Sequence, residues 1–309
     1  INHQRFVAAR KGGLLGLTHP RRIKMNKILR RFFIAVAITM LLLSVAHPAA
    51  AKESDDFIIV VQTDLPGSSN DNQFTIPTYS GETYNYNVDC HNDGTFEQTG
   101  ETRDYTCGYH APGVYTIRIQ DNVGDGSGFP WIHFNNTGDA EKLLSVAQWG
   151  TGTWTSMRNA FYGCSNLAGN AVDNPDLSSV TDMLGTFREA TSFNQNISGW
   201  DTSNVTSMTN LFLGASVFNQ DISNWDTGNV VYMTSMFHDA HAFDQDISAW
   251  DTSNVESMSW MFSDATNFNQ DISAWDTSNV SMMKLMFANA SSFNQDIGGW
   301  NTGNVINME

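Results

Sequence analysis

The stretch "FNQDISAWDTSNV", Phe268–Val280, decides the fold, because nearly the same string recurs along the chain. One copy earlier it reads "FDQDISAWDTSNV", Phe243–Val255. The period is 25 residues, and three of the apolar columns that follow it are Phe193, Phe218, Phe243, Phe268 and Phe293; Trp200, Trp225, Trp250, Trp275 and Trp300; and Met183, Met208, Met233, Met258, Met283 and Met308. A fixed period of this length indicates a repeat array, in which each copy buries its apolar face against its neighbours.

Each copy is expected to contain a short helix and an extended segment. Five apolar residues of one copy follow the spacing of a helix face, namely Val205, Met208, Leu211, Phe212 and Ala215. Asn204 precedes them as the expected N-cap, and Ile222 and Trp225 lie among turn-forming residues. The sequence therefore predicts an α/β repeat solenoid over residues 137–309. The last copy ends soon after Met308, so we expect the array to be incomplete at its C-terminus.

Residues 52–136 are expected to form a small all-β sandwich. Short β-branched and aromatic runs, such as "DFIIVVQTD" and "GVYTIRIQD", are separated by turn signals such as "LPGSS" and "HNDGT". Cys90 and Cys107 lie 17 residues apart in this segment. In an exported protein we expect them to form a disulfide, with two reduced thiols as the alternative.

The N-terminal segment has the form of a secretory signal peptide over residues 25–51. A basic start, "MNKILRRFF", leads into the apolar run Phe32–Ala46, and Ala49 and Ala51 offer an A-x-A cleavage site. Residues 1–24 are interpreted as upstream read-through. We therefore expect a secreted or cell-surface protein, with an uncleaved N-terminal anchor as the alternative.

The charge of the chain is strongly acidic. Its formal net charge is −16, and residues 1–51 hold nine Lys or Arg and no acid, so the remainder carries −25. Such a chain repels nucleic acid and anionic membrane surfaces, and suits a cation or a basic partner. No apolar run after the signal is long enough to span a membrane.

Two columns of acids recur with the repeat: Asp201, Asp226, Asp251 and Asp276; and Asp221, Asp246, Asp271 and Asp296. Stacked about 5 Å apart, neighbours would repel by about 0.8 kcal/mol in water. We therefore expect these carboxylates to face solvent and to accept nearby backbone N–H groups, with calcium binding as the alternative. Asp89–Gly94, "DCHNDG", resembles the start of a calcium loop, but Gly100 stands where that loop needs Glu. Columns of Asn, Gln and Thr are expected to bond loop backbones, although a flat Thr ladder would also suit water or ice.

No nucleophile, base and orienting group stand out as a catalytic set, and no zinc-spaced Cys/His set is present in the sequence. We predict no enzyme activity, no catalytic or metal-binding residues and no cofactor, calcium apart. Positions that depart from the repeat are the candidates for partner binding. They are Tyr232, His238, His241, Trp260 and Lys284.

The repeat unit, "W-D-T-S-N-V-x-x-M-x-x-M-F…A-x-x-F-N-Q-D-I-S", resembles that of BspA-type leucine-rich-repeat surface proteins. Leu143–Ala171 resembles the first copy of such arrays. Tyr86–Ile119 resembles a PKD-type, immunoglobulin-like sandwich, with Asp93-Gly94 and "YHAPGVYT" at its two characteristic places. The resemblance implies an exported surface protein that binds a partner, and it implies no catalytic residues.

The functional hypothesis is accordingly an exported cell-surface repeat protein. It is expected to bind an extracellular protein, glycan or matrix partner, in adhesion. Two alternatives stay open. One is an extracellular hydrolase acting on polysaccharide, and the other is a calcium- or ice-binding array.

Overall fold

Two antiparallel sheets open the part of the chain that the structure, a computed structural model, describes, which is residues 55–309. The expected signal peptide and the segment before it lie outside these residues. In chain order the strands are β1 (Phe57–Gln62), β2 (Gln73–Ile76), β3 (Tyr86–Asp89), β4 (Gln98–Glu101), β5 (Tyr105–Gly108), β6 (Val114–Asp121) and β7 (Leu143–Gln148), with a 3-10 turn (Ala140–Lys142) before β7. One sheet has the order β4-β3-β6-β1-β7, and the other pairs β2 with β5.

Strand β1 illustrates why these runs form a sheet. Phe57, Ile59 and Val61 alternate along it and are buried, as expected for side chains that face the core at every second position. Its β-branched residues also suit the pleated backbone. Strand β7 lies beyond residue 136 and completes this sheet, pairing antiparallel with β1.

A disulfide joins the two sheets. Cys90 follows β3 directly, and Cys107 lies within β5, so the bond links the five-stranded sheet to the two-stranded one. Both cysteines are buried in the sandwich core.

A lysine is fully buried beneath the same sandwich. Lys142 Nζ donates to the backbone oxygens of Ser69, Asn70 and Gln73 at 2.9–3.0 Å, and to Ser69 Oγ at 2.8 Å. The carboxylate of Asp139, also buried, lies 3.7 Å from the ammonium group. These contacts satisfy a charge that would otherwise be costly to bury.

Beyond residue 150, successive copies of the repeat lie directly against one another. Single-residue parallel bridges join them at Asp182–Ser207, Ser207–Tyr232, Tyr232–Ser257, Ser257–Met282 and Met282–Asn307. The aromatic columns stack through the core. Phe212, for example, lies 5.8 Å from Phe187 and 5.7 Å from Phe237, measured between ring centroids.

The expected fold class, an α/β repeat solenoid, is wrong. Within residues 55–309 there is no α-helix, and the 3-10 turn before β7 is the one helical element. Both sheets are antiparallel, and the repeats consist of turns joined by isolated bridges. The described chain is therefore essentially all-β.

Hydrogen bonds between copies explain why the helix does not form. The N–H groups of Met208, Asn210 and Phe212 donate to carbonyls of the next copy at 2.9 Å, whereas a helix would direct them to its own preceding turn. Asn210 and Gly214 also have positive φ values, 56° and 71°, which interrupt right-handed helical backbone. The apolar spacing that resembles a helix face belongs to a chain of turns.

The expected N-cap has another role. Asn204 donates its side-chain amide to the carbonyl of Ser178 in the preceding copy at 2.9 Å. The same contact recurs one copy later between Asn229 and Ser203. The prediction that the Asn column bonds loop backbone from copy to copy is thus confirmed, although Asn204 is exposed.

Candidate functional site

Three of the five residues that depart from the repeat gather on two adjacent copies. The ring of His238 meets Trp260 edge to face, with centroids 5.9 Å apart. His241 Nδ1 lies 2.8 Å from the backbone oxygen of Asp264. We call the surface formed by His238, Asp239, His241, Trp260 and Asp264 the His238 patch.

At the centre of the patch, one imidazole lies between two carboxylates. His238 Nε2 is 3.5 Å from Asp239 Oδ2, and His238 Nδ1 is 4.0 Å from Asp264 Oδ2. The side chains of these residues are 23%, 47% and 32% exposed, so solvent reaches all three. One ligand atom from each lies within 4.8 Å of the others, an arrangement that could hold a metal ion.

Left-handed backbone positions both carboxylates. Asp239 and Asp264 have φ values of 58° and 59° and occupy the same place in consecutive copies. Gly214 and Asn289 hold this place in the flanking copies, with φ values of 71° and 58°. Gly, Asn and Asp are the residues that tolerate this conformation best, so the backbone requirement and the acids are compatible.

The other two candidates lie in different surroundings. Tyr232 is 45% exposed and forms the parallel bridges to Ser207 and Ser257. The backbone oxygen of Lys284 accepts the N–H of Trp260 at 2.8 Å. Its side-chain ammonium group, however, pairs with Glu309 at 2.8 Å. Tyr232 and Lys284 therefore do not belong to the central cluster.

The acidic columns bond their own turns. The Oδ1 atom of Asp246 accepts the N–H of Ser248 at 2.9 Å, and Asp251 accepts that of Ser253 at the same distance. Hydrogen bonds from these serines lower the pKa of both aspartates. The expectation that the columns accept nearby backbone N–H groups is confirmed.

Four Thr residues of the Thr column are buried rather than presented to water, and the fifth, Thr302 in the last copy, is exposed. Thr202, Thr227, Thr252 and Thr277 are each 1% exposed. Thr227 Oγ1 donates to the backbone oxygen of Asp251 at 2.9 Å, and the other three make the equivalent contact with the next copy. These hydroxyls hold copies together.

In the loop Asp89–Gly94, which resembles the start of a calcium site, backbone N–H groups of the loop itself bond the Asp89 carboxylate. The buried carboxylate of Asp89 accepts the N–H groups of His91, Asp93 and Gly94 at 2.8–3.2 Å. The guanidinium group of Arg118 lies 4.0 Å from the same carboxylate. The carboxylate is therefore engaged in fixing the turn.

Within residues 55–309, no helix is long and apolar enough to cross a membrane.

The fold and the patch define an all-β protein whose stacked copies carry a local cluster of imidazole, indole and carboxylate groups. Two overlapping stretches, residues 155–252 and 218–309, match the family described as "Mycoplasma protein of unknown function, DUF285". Together they cover residues 155–309, half of the chain, and the chain belongs to this family. No curated protein and no solved structure matches it.

Proposed function

We propose that the chain is an exported or cell-surface protein that binds an extracellular protein, glycan or matrix partner, in adhesion. The binding surface is the exposed side of the repeat array, centred on the His238 patch. One observation carries the proposal: the core columns repeat with little change, while His238, His241 and Trp260 depart from the repeat and lie together. A regular scaffold on which several departures from the repeat gather at one place is the arrangement expected of a recognition surface.

Rigidity of the array supports binding over a large area. Backbone hydrogen bonds run from copy to copy, as from Asp239 N to Ser263 O at 3.0 Å and from Trp260 N to Lys284 O at 2.8 Å. A preformed surface loses little conformational entropy when a partner binds. Weak contacts along several copies would then add through avidity.

The chemistry of the patch suits a polar partner with apolar faces. An indole offers a large apolar surface with one N–H donor, and the histidines and aspartates offer directional hydrogen bonds. The net charge of −16 disfavours nucleic acid and favours a neutral or basic partner.

Binding is preferred over hydrolysis because of how the recurrent acids are used. Carboxylates of the columns accept N–H groups two residues ahead, as Asp221 does from Ser223 at 2.9 Å. This role is structural and repeats in each copy. It does not distinguish any pair as a general acid and base.

A binding screen with the untagged chain tests the proposal. The chain would be presented to a glycan array and to immobilised extracellular-matrix proteins. In the patch variant, each residue is replaced by the one that stands at the equivalent position of another copy of the repeat. The changes are His238→Leu as at Leu213, His241→Ser as at Ser216, and Trp260→Asn as at Asn210.

The control variant carries Val217→Ser and Asp246→Asn, two changes outside the patch that also use sister residues. We expect wild type and control to retain a partner that the patch variant loses. Finding no partner, or equal retention by the patch variant, would contradict the proposal.

A further inference from the structure

We propose that His238, Asp239 and Asp264 form a binding site for a divalent transition-metal ion of the Zn²⁺ class, joining two adjacent copies of the repeat. The inference does not depend on the adhesive function. It rests on the geometry of three side chains that two different copies bring together.

The hydrogen bond at His238 Nδ1 leaves the other ring nitrogen free to bind a metal. Nδ1 lies 3.1 Å from the backbone oxygen of Ser263. A carbonyl oxygen only accepts, so Nδ1 carries the proton, and in the neutral imidazole Nε2 then presents its lone pair. That lone pair is on the nitrogen 3.5 Å from Asp239 Oδ2. Metal-binding histidines generally donate their other N–H to a backbone carbonyl or carboxylate in this manner.

The carboxylate of Asp264 is held in place by two further donors. Ser263 Oγ donates to Asp264 Oδ2 at 3.0 Å, and Asn289 Nδ2 donates to Asp264 Oδ1 at 2.9 Å. Hydrogen bonds of this kind orient ligating carboxylates in metalloproteins. The donor from Asn289 comes from a third copy, so the stacking of the array itself positions this ligand.

The distances fit a small ion better than a large one. Zn²⁺ binds His nitrogen and carboxylate oxygen at about 2.0–2.2 Å, which places tetrahedral ligands about 3.3 Å apart. The 3.5 Å separation of His238 Nε2 and Asp239 Oδ2 is close to this value. One ligand atom of each residue lies within 4.8 Å of the others. Asp264 Oδ2 is 4.0 Å from His238 Nδ1, so the imidazole would have to rotate to bring Nε2 towards it.

The donor set also selects the class of ion. Ca²⁺ takes six to eight oxygen ligands, and Mg²⁺ also prefers oxygen, so an imidazole suits neither. Imidazole with carboxylates suits Zn²⁺ and its neighbours in the first transition series. Solvent-exposed positions leave room for water to complete the coordination.

The electrostatics favour a cation at this point. Two carboxylates flank one imidazole, and in residues 55–309 the ion pairs of lysine and arginine lie elsewhere, at Arg118, Lys142, Arg158, Arg188 and Lys284. A divalent ion would offset the repulsion between the two aspartates.

Calorimetric titration of the untagged chain with Zn²⁺ alone tests the site. The variants His238→Leu and Asp264→Asn carry the sister residues of Leu213 and Asn289, which limits the disturbance of the fold. Asp246→Asn is the control, an exposed acid replaced by the residue of Asn196. We expect one Zn²⁺ site in wild type and control, and an affinity at least about tenfold weaker in each site variant, since even outer-shell changes cause losses of that size.

Two further measurements keep the test decisive if a variant folds poorly. Zn²⁺ should raise the melting temperature of wild type and control by more than that of either site variant. X-ray absorption at the zinc edge of the wild type should show one imidazole nitrogen with oxygen ligands. Absence of a Zn²⁺ site in wild type, equal affinity in His238→Leu, or a coordination shell without imidazole would each overturn the proposal. None of these results would bear on the partner screen, which is performed without added metal.

Discussion

Trp275 lies face to face on Trp250, with ring centroids 6.3 Å apart and ring planes inclined by 4°. Its indole nitrogen donates to the backbone oxygen of Ile247 in the preceding copy at 3.0 Å. Stacking and the hydrogen bond fix the same ring in two directions. Trp300 stacks on Trp275 in the same way, with centroids 6.3 Å apart, so in this part of the column one Trp is the packing surface of the next.

Replacing Trp275 with Ala should cost about 3–5 kcal/mol of unfolding free energy, because it leaves a cavity and removes the donor to Ile247 O. Urea denaturation followed by circular dichroism measures the loss. Met282→Ala is the control, since that side chain is 42% exposed and should change stability by less than about 0.5 kcal/mol. Equal effects of the two changes would contradict the buried aromatic column.

Ser235 has a φ of 53°, a left-handed conformation that costs a residue with a Cβ atom about 1–2 kcal/mol. The variant Ser235→Gly should accordingly be more stable than Ser235→Ala by about 1 kcal/mol. Ala249 does not have a positive φ, and there Ala249→Gly should lower stability by about 0.4–1 kcal/mol. Thermal and chemical denaturation of these three variants and of wild type measures both expected changes in stability. A Gly that is no better than Ala at position 235 would contradict the assigned backbone.

Lys142→Met should destabilise the sandwich by about 3–5 kcal/mol, the range for removing one partner of a buried charged pair. The substitution preserves most of the side-chain volume, but it leaves three backbone oxygens and Asp139 without the ammonium donor. Urea denaturation measures the loss. Lys284→Met is the matched control, because Lys284 is partly exposed and pairs with Glu309 at the surface. A loss of stability in Lys142→Met as small as that in Lys284→Met would contradict the buried hydrogen-bond network around Lys142.

Acid should weaken the repeat array through its aspartates. Hydrogen bonds from the serine two residues ahead lower the pKa of Asp201, Asp251 and Asp276 in the folded chain. A folded pKa below the unfolded value of about 3.9 gives stability that is present above that pH. The contribution is lost as the pH falls through the unfolded and then the folded value.

The matched variant replaces these three aspartates with Asn. Asn301 already stands in this column, and its Oδ1 accepts the N–H of Gly303 at 3.1 Å, so an uncharged amide preserves the turn. Between about pH 5 and about pH 3, the unfolding free energy of wild type should fall more steeply than that of the variant. Parallel slopes would show that these carboxylates do not stabilise the folded state in their charged form.

The period of the repeat could be predicted from the sequence, but the conformation of one copy could not. Columns such as Trp225, Trp250 and Trp275 identify which residues become neighbours, because identical positions stack on one another. Spacing alone cannot distinguish a helix from a chain of turns, and Met208 and Phe212 satisfy both. The deciding facts are the N–H groups directed to the next copy and the two residues with positive φ in each copy, such as Asn210 and Gly214, and neither is visible in hydrophobic spacing.

The candidate site could be predicted in part, because departures from the repeat are visible in the sequence. His238, His241 and Trp260 are visible as departures from the repeat, whereas Asp239 and Asp264 are hidden among many acids. Only their position distinguishes these two aspartates, because they stand in consecutive copies at the place that Gly214 holds in the copy before. Lys142 gave no signal at all, since its acceptors are backbone oxygens that come together only in the fold.

The account depends on copies lying side by side in register. Asn196 and Asp296 hold the same exposed place in copies four steps apart. Spin labels on cysteines introduced at these two positions allow their separation to be measured by double electron–electron resonance. Neighbouring copies of the repeat are about 4.8 Å apart, so over four copies we predict a narrow distribution of label separations centred at about 20 Å. A broad distribution centred at twice that distance or more would contradict the stacking, and with it the patch that the stacking assembles.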